Sequence, residues 1–239
     1  YARMKRGFIM VSSGMFNEAL DTLLALTPTL LADSGRREYY AVLSRCYFDL
    51  VDFNGDDSYT KLYNEIGVRY VDSALHYAVP ESVPYYALKA MRGVRTRTLD
   101  EAERDLRYML AKFKLSYTDL AIATNTIAYV FMLQGKEEEA IAKNIESSIA
   151  DNMASTKETL AVLTLAELMH KRGELARAHD YVKVAMDDAN FYGARHRKVR
   201  VAAIYPIIEG NRLEAVERQR RALFGYAIAI TCLSLVVIG

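Results

Sequence analysis

The chain has 239 residues, 31 basic and 30 acidic, for a net charge of +1; with no global field to draw a polyanion, nucleic-acid binding by this segment would need a local patch, and none sits on a recognisable reading helix. Only 12 Gly and 4 Pro interrupt a sequence that is rich in Ala, Leu, Glu, Lys and Arg and has no Trp, which argues against a fold of short strands and predicts an all-α chain. Cys46 and Cys232 lie far apart, the second within an apolar run, so no intramolecular disulfide is expected.

In chain order, helices are predicted near 2–13, 16–31, 36–51, 58–78, 83–96, 99–114, 117–133, 137–151, 156–171, 175–190, 194–208 and from 212 onward. A lattice of small residues groups them in pairs. Gly7 and Ala19, Ala90 and Ala102, Ala128 and Ala140, Ala166 and Ala178, and Ala203 and Ala215 each lie 12 residues apart. Seven residues after each first member stand Gly14, Arg97, Gly135, Gly173 and Gly210. Units begin at Gly7, Ser44, Ala90, Ala128, Ala166 and Ala203, and the last three steps are 38, 38 and 37 residues. Two small residues let the helices of a pair approach closely, and the glycine between them ends the first helix in a left-handed conformation that only glycine adopts cheaply. The expected fold is a superhelical stack of antiparallel helix pairs, with its last helix entering a transmembrane span.

Local signals refine this division. Thr98 to Glu101 and Ser155 to Glu158 match the capping box, and Asn211 to Glu214 is a looser version. In the second unit, Asp52, Asn54, Asp56 and Ser58 have a spacing reminiscent of a calcium loop. Glycine falls at the fourth position instead of the sixth, however, and Tyr63 stands where a bidentate Glu is needed, which favours an ordinary helix-capping turn. His76, His170, His179 and His196 lack metal-ligand spacing, and there is no phosphate loop, nucleophile elbow or Cys-x-x-Cys pair. No catalytic role, metal or cofactor is therefore expected.

The 17 Tyr are more informative. Tyr39, Tyr40, Tyr47, Tyr85, Tyr86, Tyr117 and Tyr129 fall on predicted first helices, which line the concave side of such superhelices, and Tyr offers contact area and a hydrogen bond at low entropic cost. Tyr39, Arg45, Tyr85, Lys89 and Asn125 are the candidate groove for a protein or peptide. Individually, packing between repeats explains most of these tyrosines.

Towards the C-terminus, Arg195, Arg197, Lys198 and Arg200 form either a solvated helix face or a contact for anionic headgroups. Arg218, Arg220 and Arg221 then precede an uncharged run from Ala222 to Gly239, 18 residues long. A bilayer core of about 30 Å needs roughly 20 apolar residues, so this run is expected to begin a span that continues further. The expected divisions are a repeat domain over 1–210, a basic juxtamembrane helix over 211–222 and the span over 223–239. Gly225 and Ala229 offer a small-x-x-x-small surface through which spans could form a homodimer. Because Ala203, Gly210 and Ala215 keep the repeat spacing, the membrane helix is expected to be the second helix of a sixth pair.

A small residue followed by Gly-x-x-x-x-Ala, as in Gly135 to Ala140 and Gly173 to Ala178, resembles the tetratricopeptide repeat, although the spacing is longer than the usual ~34 residues and its large first-helix Trp is absent. The run Ala194-Arg195-His196-Arg197-Lys198-Val199, then Ile204-Tyr205-Pro206-Ile207-Ile208-Glu209, a basic helix and an apolar run, is similar to the membrane-anchored tetratricopeptide regulators of Bacteroidetes. That resemblance implies a sensor domain outside the inner membrane, in the periplasm, that binds a ligand or protein and passes a change through one span to a signalling or transcription-regulating output. The basic residues before the span pull the other way, towards cytoplasmic repeats. The alternative function is a membrane-tethered scaffold that assembles partners without signalling.

Overall fold

A computed structural model describes the backbone of residues 1–238 and the side chains of residues 1–236. Ten helices form five hairpins: α1 (Ala2–Ser12) with α2 (Phe16–Leu24), α3 (Asp33–Asn54) with α4 (Asp57–His76), α5 (Val83–Thr96) with α6 (Leu99–Lys112), α7 (Tyr117–Leu133) with α8 (Glu137–Met153), and α9 (Leu160–Lys171) with α10 (Leu175–Tyr192). An eleventh helix, α11 (Arg195–Ile238), packs on α9 and α10 at its start. Among the described residues there is no strand.

The small-residue lattice builds the hairpins. Ala19, Ala90, Ala102, Ala128, Ala140, Ala166 and Ala178 are all 0% exposed. A Cβ added to Gly7 would stand 2.5 Å from Leu23 Cδ2. In the second hairpin Gly67 takes the close-approach role, since a Cβ there would stand 2.3 Å from Phe48 Cε1. Gly14, Gly135 and Gly173 turn the chain at φ +77°, +75° and +77°, and Arg97 takes the same left-handed conformation at 64°. Around these contacts lie Leu23, Leu43, Leu106, Ile127, Phe131 and Val182, each contributing about 1.5–3 kcal/mol by leaving water.

Several boundaries differ from expectation for local reasons. The second helix ends at Leu24, not near 31, because Pro28 pushes Thr27 to an extended ψ of 98° and a short 3-10 turn follows over Pro28–Leu30. Caps form at Asp56, Ser82 and Ser116, whose side chains accept from the amides of Ser58, Tyr85 and Asp119, so the polar stretch of the second unit is the capping turn. Thr98 makes no side-chain cap bond, and Ser155 lies outside α9, which starts at Leu160.

The largest difference concerns the C-terminal region. The two helices expected at 194–208 and from 212 onward are one helix of 44 residues, so there is no sixth hairpin. Gly210 has nothing within 4 Å of an added Cβ, and Asn211 and Glu214 lie inside the helix. Ile208 is the last buried residue among those described, Glu209, Asn211 and Arg212 still reach His179 and His170 of the last hairpin, and beyond Arg212 α11 leaves the body. The expected divisions after 210 and 222 therefore fall within one continuous helix. Among the described residues no helix is long and apolar enough to cross a membrane. The side chains of the last three residues of the expected span, 237–239, lie outside the described residues.

Candidate functional site

The superhelix closes on itself. The Arg195 amide at the start of α11 donates to the Ser13 carbonyl in the α1–α2 turn at 3.2 Å. The Phe16 and His196 rings lie 5.4 Å apart, and Gly14 leaves the room that His196 occupies. The first hairpin thus meets the last helix, and side chains distant in sequence converge on the inner face.

The repeat register gives each first helix one equivalent position. One residue after each small first-helix position come Phe8, Arg45, Met91, Tyr129 and Glu167, about 100° further round each helix. Phe8 and Tyr129 are 40% and 44% exposed, and the side chains of Arg45 and Glu167 are 27% and 33% exposed. The Arg45 guanidinium lies 5.7 Å from the Phe8 ring centre. Arg45 Nε stands 3.5 Å from Asp49 Oδ2, and Arg45 Nη2 donates to Glu158 Oε1 at 3.5 Å. Arg197 Nη2, from the first turn of α11, donates to the same Glu158 oxygen at 2.8 Å. Glu158 therefore clasps together α3, the α8–α9 connection and α11.

The segment that carries Glu158 is strained. Ser155, Lys157 and Thr159 have φ of 55°, 54° and 75°, left-handed values that cost of order 1–3 kcal/mol each in residues with a Cβ. Two contacts hold it. Asp151 Oδ2 accepts from the Glu158 amide at 2.5 Å, and Lys157 reaches the buried Asp188 at 3.4 Å. Beside it a cleft of ≈ 70 Å³ is lined by Ile122, Asn125, Thr126, Ser147, Asp151 and Glu158 among others.

Electrostatics follow from this enclosure. Burial raises the Asp49 carboxyl to about 6 although Arg45 opposes the shift, and burial raises Asp151 to about 6 against the Glu158 amide. Burial works against the Arg45 charge, but Asp49 and Glu158 outweigh it and hold its pKa above the ordinary value. His196 falls to about 4, first through burial and then through Arg197 and Arg45. Arg197 is only 12% exposed, and its Nε and Nη1 are buried without a protein partner.

Of the candidate groove residues, Arg45 and Asn125 border this site. Asn125 lines the cleft and donates to Asn144 Oδ1 at 3.3 Å. Tyr39, 4% exposed, lies in the core of the first two hairpins, where burial raises its hydroxyl to about 12. Tyr85 and Lys89 form a separate group on α5: Lys89 Nζ stands 2.9 Å from Asp105 Oδ1 and lies over the rings of Tyr85 and Tyr86. Within the basic stretch, Arg197 joins the clasp, Arg200 lies 3.9 Å from Glu167, and Lys198 is half-buried. Arg218 and Arg221 pair with Glu214 and Glu217 one turn back on the exposed stem, while Arg220 is exposed.

Sequence reasoning missed Glu158, Asp49, Asp151 and His196. Glu158 looked like the second half of a capping box, and only the closure of the superhelix brings it to arginines 113 and 39 residues away. Among the described residues no group of His, Cys, Asp and Glu could hold a metal ion. A family model described as the SusR N-terminal TPR domain matches residues 1–203. No curated protein matches the chain.

Proposed function

Because the chain belongs to the family of SusR N-terminal TPR domains, a family of protein-interaction repeats, we propose that it is the ligand- or protein-binding sensor domain of a membrane-anchored bacterial regulator. The observation that carries this reading is the closed superhelical turn with a largely buried charged cluster on its inner face, in which Arg45 of the first repeats and Arg197 at the root of α11 share one carboxylate. A partner that enters there touches the first hairpin and the root of α11 at once. Because α11 stays helical from its buried root to its exposed stem, although Pro206 cannot donate one bond of its ladder, a change at the root is passed to the stem through one helix.

The membrane part of the proposal rests on the stem. Leu223, Phe224, Tyr226, Ile230, Leu233, Leu235 and Val236 are each more than 60% exposed, with no protein covering them. Lipid would bury them, and Arg218, Arg220 and Arg221 would lie at the headgroups. We place the repeats in the periplasm and allow pairing of two stems through Gly225 and Ala229. Protection of the repeats from protease in intact spheroplasts would overturn the periplasmic placement.

The binding test uses the native chain to capture its partner. Charge reversal at Arg45 is expected to weaken capture at least tenfold, while Arg172→Glu, on an outer surface pair with Glu137 and Glu138, leaves it unchanged. Lys89→Glu tests whether the α5 group extends the same face. Equal loss from Arg45 and Arg172, or none from either, contradicts a binding inner face. Capture that leaves the environment of α11 unaltered favours the scaffold reading over the sensor.

A further inference from the structure

We propose that Glu158 is an internal stand-in for a ligand carboxylate, and that an acidic side chain of an extended partner peptide takes its place between Arg45 and Arg197. This rests on the inner face being the binding face and adds the chemistry of what binds.

The bonding around Glu158 is incomplete in a way that a ligand can improve. Both arginines bond to one oxygen, Oε1, so the second oxygen serves neither. Arg197 uses only Nη2 for this contact, and its Nε and Nη1 are buried without a partner. A guanidinium presents a planar fork that suits two parallel bonds to one carboxylate. A carboxylate arriving along the cleft would fill the arm that Glu158 leaves empty.

The occupant is also poised to leave. Glu158 sits on a connection, not on a helix, with left-handed residues before and after it at Lys157 and Thr159. Withdrawal of its side chain lets that backbone relax, which offsets the loss of its contacts with the arginines.

Charge selects the entrant. Exchanging one carboxylate for another keeps the site at the same net charge, whereas a neutral or cationic group would leave the enclosed Arg197 guanidinium without the anion it bonds to and Arg45 with Asp49 alone, an expensive arrangement. Asp49 and Asp151 flank the pair and would repel a second carboxylate, so the site takes one. Size selects the source. The cleft of ≈ 70 Å³ admits a side chain but is far below the ~300 Å³ or more of a small-molecule pocket. Ile122, Asn125 and Thr126 continue along α7 as a wall for a peptide backbone.

The test is fluorescence polarisation with a labelled decapeptide that carries one Glu in a Gly/Ser/Ala background, with its Gln counterpart, and with glutarate as competitor. Glu158→Gln removes the internal anion and keeps the hydrogen bond that its backbone N–H donates to Asp151; it is expected to bind the Glu peptide at least tenfold more tightly than the natural chain. Adding Arg197→Gln should abolish that gain. Ser155→Gly relieves one left-handed residue, so it should raise the melting temperature and weaken peptide binding severalfold, the opposite pair of effects. The Gln peptide should not bind, and glutarate at peptide concentration should not displace. Equal binding of Glu and Gln peptides, no gain in Glu158→Gln that is folded by circular dichroism, or displacement by glutarate overturns the proposal. If the native partner is captured in an Arg45-dependent way but Glu158→Gln leaves its capture unchanged, this inference fails while the inner-face reading stands.

Discussion

Four of the five hairpins and the inner half of α11 carry the same small-residue spacing and use it differently. In the hairpins the small residues are buried, as Ala90 and Ala102 are, and in the second hairpin, which lacks the spacing, Gly67 lies against Phe48 instead. On α11, Ala203 is exposed, Gly210 faces open space, and Ala215 is on the same helix. A small residue permits close approach but does not supply the partner. Where no second helix returns, the same residues specify nothing, and the helix runs on past Gly210 because nothing there favours a turn strongly enough to stop it.

Substitutions at these positions should therefore diverge. The largest effect is expected from Gly67→Ala, where the new methyl meets the rigid Phe48 ring at 2.3 Å; about 2–3 kcal/mol should be lost in urea unfolding, as for overpacked cores. A loss below about 0.5 kcal/mol would mean that the second hairpin is looser than described. Gly135→Ala has free space around it but a φ of +75°, so about 1–2 kcal/mol is expected from the left-handed backbone alone. Gly210→Ala should have the opposite sign and stabilise by about 0.5–1 kcal/mol, since it removes a glycine from a helix interior. Destabilisation by Gly210→Ala would restore a turn or a packed partner at that point and erase the contrast.

This contrast also marks what could be read without coordinates. Four of the hairpins were legible because spacing of 12 residues between small residues, with a turn residue seven along, encodes a backbone distance within one local unit. The continuity of α11 was not, because Gly210 resembles Gly135 and Gly173 until its surroundings are known. Arg45 could be chosen from its place on a first helix. Its partner could not, because Glu158 depends on how far five hairpins turn the chain before Arg195 meets Ser13. Small errors in the twist of each pair add along the stack, so closure has no local signature.

The closure is expected to weaken in acid. His196 titrates at 6.5 when unfolded and at about 4 when folded, so between these values the folded chain binds fewer protons. Its contribution is present above 6.5 and is lost as pH falls through that window. Asp49 and Asp151, raised to about 6, act in the reverse sense, since their burial is less costly as pH falls. The local readout is therefore the hydrogen-exchange protection factor of the Ser13 to Phe16 segment, the rate relative to the intrinsic rate at each pH, which should fall from pH 6.5 to 4 in the natural chain and lose that dependence in His196→Gln. A protection factor that is flat with pH in the natural chain would separate His196 from the closure.

The most direct test of the account is a double-mutant cycle on Arg45→Ala and Glu158→Ala, read as unfolding free energy. Both side chains are about three-quarters buried, at 27% and 30% exposed, and they meet only if the superhelix closes around the inner face. A coupling of about 0.5–1 kcal/mol is predicted. Additivity within about 0.3 kcal/mol would contradict the clasp and, with it, the shared site that joins the first repeats to the root of α11.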